Sequence, residues 1–126
     1  MDEIYGLFNG VNMVTDDGKI YPVYENYASK SKLVEGDELK LIFEDGKMIF
    51  KQVSPAPRES YLAKVTFAGK SCIAVVDDRR YKLLHASVTY FRVKEGDEVI
   101  IIVPSDIDSE WAALESVIRK DQDQEM

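Results

Sequence analysis

Cys72 and His85 are the only cysteine and the only histidine of the chain. A thiolate–imidazolium pair needs the two side chains within hydrogen-bond reach. Asp77-Asp78-Arg79-Arg80 reads as a turn centred on Asp78-Arg79, and a hairpin folded there sets residue 72 opposite residue 85. Against catalysis, SCIAVV (71–76) is an apolar strand-like run, where free cysteine is commonly buried and inert, and nothing places Cys72 at a helix N-terminus. One cysteine and one histidine cannot fill a tetrahedral zinc site. Asp106-x-Asp108-x-Glu110 has the alternation of a calcium loop but lacks its glycine and distal glutamate. Neither glycine-rich phosphate-binding motif occurs. The acid pairs Asp16-Asp17 and Asp77-Asp78 suit turns. No catalytic residue, metal site or cofactor is therefore assigned, and the chain is expected not to be an enzyme.

The remaining chemistry is recognition. In YPVYENYASKSK (21–32), Tyr21, Tyr24 and Tyr27 are interleaved with Lys30 and Lys32. Aromatic faces beside cations suit single-stranded nucleic acid. Further along, Arg79, Arg80, Lys82, Arg92 and Lys94 occupy comparable places. The competing structural reading packs the tyrosines over a barrel mouth and leaves the lysines solvated.

The totals fit a single soluble domain. The chain has 126 residues, 45% of them hydrophobic and 31% charged, with a net charge of −7. It is long enough to bury a core without disulfides or metal. A lone cysteine excludes an intramolecular disulfide and agrees with a cytoplasmic setting. No apolar run reaches the roughly 20 residues of a membrane span, and the acidic start MDEIYGLF lacks a signal peptide's basic region. Charge is unevenly spread: residues 1–45 hold 4 basic and 10 acidic side chains, 46–94 hold 10 and 3, and 95–126 hold 2 and 10. A basic middle between acidic ends can form a local positive patch.

Positioning falls to β-strands. Residues 4–8 and 11–15 flank Asn9-Gly10, a favoured hairpin dipeptide. After the turn at 16–19, IYPVY (20–24) is a strand with Pro22 at its edge or end. Residues 25–33 form a short helix or a wide loop. DELKLIF (37–43) and KMIFKQV (47–53) make a hairpin around Glu44-Asp45-Gly46. The proline-containing stretch 54–60 reads as a linker. YLAKVTF (61–67), SCIAVV (71–76) and YKLLH (81–85) are strands, and ASVTYFRV (86–93) parallels the earlier polar segment. DEVIIIV (97–103) is apolar enough for burial on both faces. A C-terminal helix over 105–120 is expected: Ser105, Asp106 and Asp108 offer capping oxygens, and Trp111, Leu114 and Ile118 recur at helical spacing to pack on the rest.

Glu-Gly-Asp-Glu occurs twice, at 35–38 and 95–98. Around these tetrapeptides, residues 10–43 and 70–103 repeat one order of strand, Asp-Asp turn, strand, connecting segment and strand. Gly36 and Gly96 are expected at φ > 0, and Asp37 and Asp97 are expected to fix the turns by accepting backbone N–H bonds. The expected architecture is one mostly β domain over 1–126. It comprises half-unit 1 (1–53), a linker (54–60), half-unit 2 (61–104) and the helix, the two half-units closing one barrel about a pseudo-twofold axis.

DDGKIYP (16–22) and KLVEGDELKLIFEDGKMIFK (32–51) resemble the AbrB/MazE-like swapped-hairpin units of the cradle-loop barrels, whose shared mark is a Gly-Asp box before a strand. That resemblance implies a cradle-loop β-barrel, a monomer or homodimer, and DNA binding. The basic residue usual on the short helix of that family is replaced here by Tyr24-Glu25-Asn26. YPVYENYASKSKLVEGD and ASVTYF also resemble a family of small proteins of candidate-phyla bacteria, a likeness over most of the chain that carries no function. The expected function is a binding module for nucleic acid. The alternative is a protein-interaction module, docking through the acidic C-terminal helix on a basic partner such as the translation machinery.

Overall fold

The computed structural model describes residues 3–119. The first sheet contains β1 (Glu3–Phe8), β2 (Asn12–Val14), β3 (Ile20–Pro22), β4 (Glu38–Glu44) and β5 (Lys47–Ser54), in the order β3-β2-β1-β4-β5. Helix α1 (Glu25–Lys30) joins β3 to β4. The rest of the chain follows the same plan with β6 (Arg58–Ala68), β7 (Ser71–Val76), β8 (Arg79–Leu83), helix α2 (His85–Phe91), β9 (Glu98–Pro104) and β10 (Trp111–Ile118). Its order β8-β7-β6-β9-β10 matches the first sheet strand for strand. In each unit the fourth strand returns to lie beside the first, which is a Greek key.

The units differ in closure. In the second, β10 also pairs parallel to β8, Trp111 with Lys82 and Ala112 with Leu83, so the five strands form a closed barrel. The first stays an open sheet between β3 and β5. Its open side is covered by side chains: the Tyr27 ring stacks on Phe50 at 6.4 Å, and Tyr24 meets the same ring edge-on at 5.9 Å. The expectation of two half-units closing one barrel is therefore corrected. All barrel strands lie within residues 58–118, and each unit has its own core, around Met13, Leu39 and Leu41 in the first and Val65, Val99 and Ile101 in the second.

The expected C-terminal helix over 105–120 is corrected for residues 105–119, and Lys120 lies outside the described residues. Residues 105–110 are loop and Trp111–Ile118 is strand β10. Leu114 is buried in the barrel, Trp111 is half-buried, and Ile118 is exposed. The helical spacing has a local cause. Leu114 pairs with Ile101 and Ser116 with Ile100, so Glu115 is a bulge residue. A bulge inserts one residue into the period-two alternation, which puts Leu114 and Val117, three apart, against one core. A helix here would also leave the facing backbone groups of β8 and β9 without partners.

Strand β9 reads as continuously apolar because it serves two cores. Val99, Ile101 and Val103 fill the barrel, while Ile102 meets Val34 and Ala113 between the units. The expected linker is partly structured, since β6 begins at Arg58. The turn after β7 is corrected by one residue, from the expected centre at Asp78-Arg79 to Asp77-Asp78, with Asp77 at φ 55°.

Both Gly-Asp boxes use one set of bonds. The Gly36 N–H donates to the Phe8 carbonyl and the Gly96 N–H to the Val65 carbonyl, each at 2.8 Å. The Val34 N–H donates to Asp37 Oδ2 at 2.9 Å, and the Lys94 N–H to Asp97 Oδ2 at 2.8 Å. Gly36 and Gly96 have φ of 96° and 85°. An arginine reaches each aspartate from outside the box: Arg58 pairs with Asp37 and bonds the Lys32 carbonyl, and Arg119 pairs with Asp97 and bonds the Phe91 carbonyl.

Gly10 of the first unit packs against Trp111 of the second. A Cβ built on it would lie 2.4 Å from Trp111 Cδ1, and its φ is 104°. Gly10→Ala is expected to destabilise by about 1–3 kcal/mol through overpacking and strain. Trp111 is the sole tryptophan, so a changed emission maximum should accompany the lower thermal midpoint. An unchanged midpoint and spectrum would mean that the contact is not tight in solution.

Candidate functional site

Strand alternation decides which side chains reach solvent. In β8, Tyr81 and Leu83 point into the barrel, so Arg80 and Lys82 point out. Across the sheet, Lys64, Val75 and Arg80 form one outward row, and Thr66, Ile73, Lys82 and Trp111 form the next. Beside the second row is a groove of about 490 Å³ whose walls include Phe67, Lys70, Lys82, His85 and Trp111. Lys82 Nζ lies 5.7 Å from the Trp111 ring centroid and 3.0 Å from a Glu110 carboxylate oxygen. Among the described residues, Lys64, Lys70 and Arg80 have no carboxylate partner.

The matching row of the first unit is Leu7, Val14 and Ile20. Leu7 and Ile20 are exposed there. One backbone position in the shared plan is thus leucine in one unit and Lys64 in the other, and isoleucine in one and Arg80 in the other. The fold does not require cations at this row, and the second unit carries them.

The residues singled out in the sequence fall into several places. Tyr21 and Tyr27 are half-buried against the first core, and Tyr24 covers it from the edge. Lys30 and Lys32 line a groove of about 390 Å³ between the two helices. Arg79 lies on the inner side of β8, its guanidinium 4.7 Å from the Tyr61 ring centroid at the barrel end. Arg80 and Lys82 belong to the outward rows. Arg92 is the left-handed C-cap of α2, and Lys94 lies beside the second Gly-Asp box with Arg119. These cations do not make one continuous face. The outward rows also contain Lys64 and Trp111, which the sequence did not single out for binding, and the groove beside them is lined by Phe67 and Lys70. Alternation in YLAKVTF already carries the signal for Lys64, since it sets Lys64 with Leu62 and Thr66 opposite the buried Ala63 and Val65.

Cys72 is opposite Leu83, not His85. Its thiol is pushed up from 9.0 to about 11, by burial first and by the nearby Glu95 charge second. The folded state favours the neutral thiol. The stability this contributes is whole below the ordinary thiol value and is lost as pH rises through about 11. Iodoacetamide should label native Cys72 at neutral pH at least about tenfold more slowly than the unfolded chain; fast native labelling would overturn this account.

A scan against protein-family models finds no match to this chain, and a search of curated proteins finds no similar sequence.

Proposed function

We propose that this protein binds single-stranded nucleic acid through the outer face of its closed barrel and catalyses no reaction. A five-stranded Greek-key barrel is the architecture of the OB-fold, in which the face of the second and third strands and the adjoining loops bind oligonucleotides. In the second unit those strands are β7 and β8, and that face carries Arg80 and Lys82 next to Lys64. The single observation that supports this reading most is the contrast between equivalent rows, Lys64-Val75-Arg80 against Leu7-Val14-Ile20. In the groove beside that face, Phe67, His85 and Trp111 supply ring faces for bases, and the lysines and Arg80 supply charge for phosphates.

Shared strand order and shared Gly-Asp bonds also support descent of the two units from one duplicated ancestor. The AbrB/MazE-like likeness of residues 16–22 and 32–51 does not enter this reading. Docking through an acidic helix loses its helix to β10.

The test is fluorescence anisotropy with labelled single-stranded RNA and DNA at stepped salt. Binding should weaken with salt at a slope of about −0.7 in log K against log salt for each phosphate contacted. No binding of either polymer at low salt rejects the proposal.

A further inference from the structure

The groove on the barrel reaches both helices: it is lined by Glu25 of α1 and His85 of α2, and their chain neighbours Asn26 and Ala86 line the separate groove between the helices. The helices are zipped together at this junction: the Ala86 N–H donates to Glu25 Oε1 at 2.6 Å, and the Ser29 and Ser87 hydroxyls are 2.7 Å apart. Beyond it stands Tyr90, 79% exposed, more than any other large hydrophobic side chain described. Its ring meets Phe91 edge-on at 5.0 Å. Lys30 and Lys32 line the same groove, and among the described residues neither is paired with a carboxylate.

We infer that the seam between the two helices is a second nucleotide subsite, next to the barrel groove, in which Tyr90 stacks a base and Lys30 and Lys32 contact the adjoining phosphates. This rests on the nucleic-acid reading of the barrel. An exposed ring offers any base a π-face, and cations beside it follow the backbone. Since the seam is built from one helix of each unit, pairing two units in one chain lengthens the bound strand beyond what a single barrel holds. Glu25 marks the join and repels phosphate there, so the strand crosses it with bases towards the carboxylate.

Anisotropy with labelled oligouridylate of about 5 and about 12 nucleotides tests this. The longer strand should bind wild type at least roughly tenfold more tightly than the shorter. Tyr90→Ala should remove most of that advantage and leave the short strand's affinity unchanged, Tyr90→Phe should keep it, and Lys30→Ala with Lys32→Ala should reduce it. These side chains reach solvent or a groove, so the variants are expected to fold, which circular dichroism checks. If Tyr90→Ala leaves the longer strand's affinity intact while Arg80→Glu weakens both strands, the seam subsite is overturned and the barrel reading stands. If wild type binds neither strand, both fall.

Discussion

Asp37→Ala is expected to cost about 3–5 kcal/mol of folding stability, the range for breaking a buried ion pair from one side, while Asp97→Ala should cost about 1–2 kcal/mol. The motif is alike, but Asp37 is more deeply buried and accepts more bonds. The Asp37 side chain has 0% exposure, against 21% for Asp97. Asp37 accepts from the Val34 and Ala56 N–H groups and from Gln52, besides its pair with Arg58. Truncation leaves the Val34 N–H without its acceptor in a region sealed from water, and leaves the Arg58 charge, 26% exposed, unpaired. At Asp97 water can replace much of what the carboxylate supplied. Urea denaturation of both variants checks this, with a thermal midpoint for Asp37→Ala lower by on the order of 10 °C or more. Equal losses at the two sites would mean that neither burial nor the extra bonds of Asp37 separates the boxes.

The second large effect is on binding. Arg80→Glu combined with Lys82→Glu should weaken single-stranded nucleic acid by roughly 25-fold or more at about 0.1 M salt, because each lost phosphate contact is worth about 0.7 of a decade there. The salt dependence should flatten by about 1.4 in slope for the two contacts. Ile20→Glu is the positional control. Ile20 is the counterpart of Arg80 in the open unit and is 62% exposed, so a carboxylate added there should leave affinity unchanged. If Ile20→Glu weakens binding as much as the double variant, then net charge and not the barrel face governs the interaction.

Much of this was legible in the order of residues. Nine of the strands follow alternation and turn residues that can be read directly, from Asn9-Gly10 through Glu44-Asp45-Gly46 to Asp77-Asp78. The repeated Glu-Gly-Asp-Glu marks two equivalent turns whose glycines take positive φ. Period two in RRYKL even separates Arg79, inward with Tyr81 and Leu83, from Arg80 and Lys82. What the residues of one segment could not state is what lies next to it in space. WAALESVI is a strand because β8 and β9 present unpaired backbone on either side and a bulge at Glu115 fits it between them. Lys64 and Trp111 share a face with Arg80 and Lys82 only because β6 and β10 flank β7 and β8 in the barrel. Tyr90 stands beside Lys30 and Lys32 only because the two helices meet across the units. Local composition fixes how a segment prefers to fold, through backbone conformation and alternation; closure of the barrel and contact between the units are long-range, and they alone decided which cations and rings share a surface.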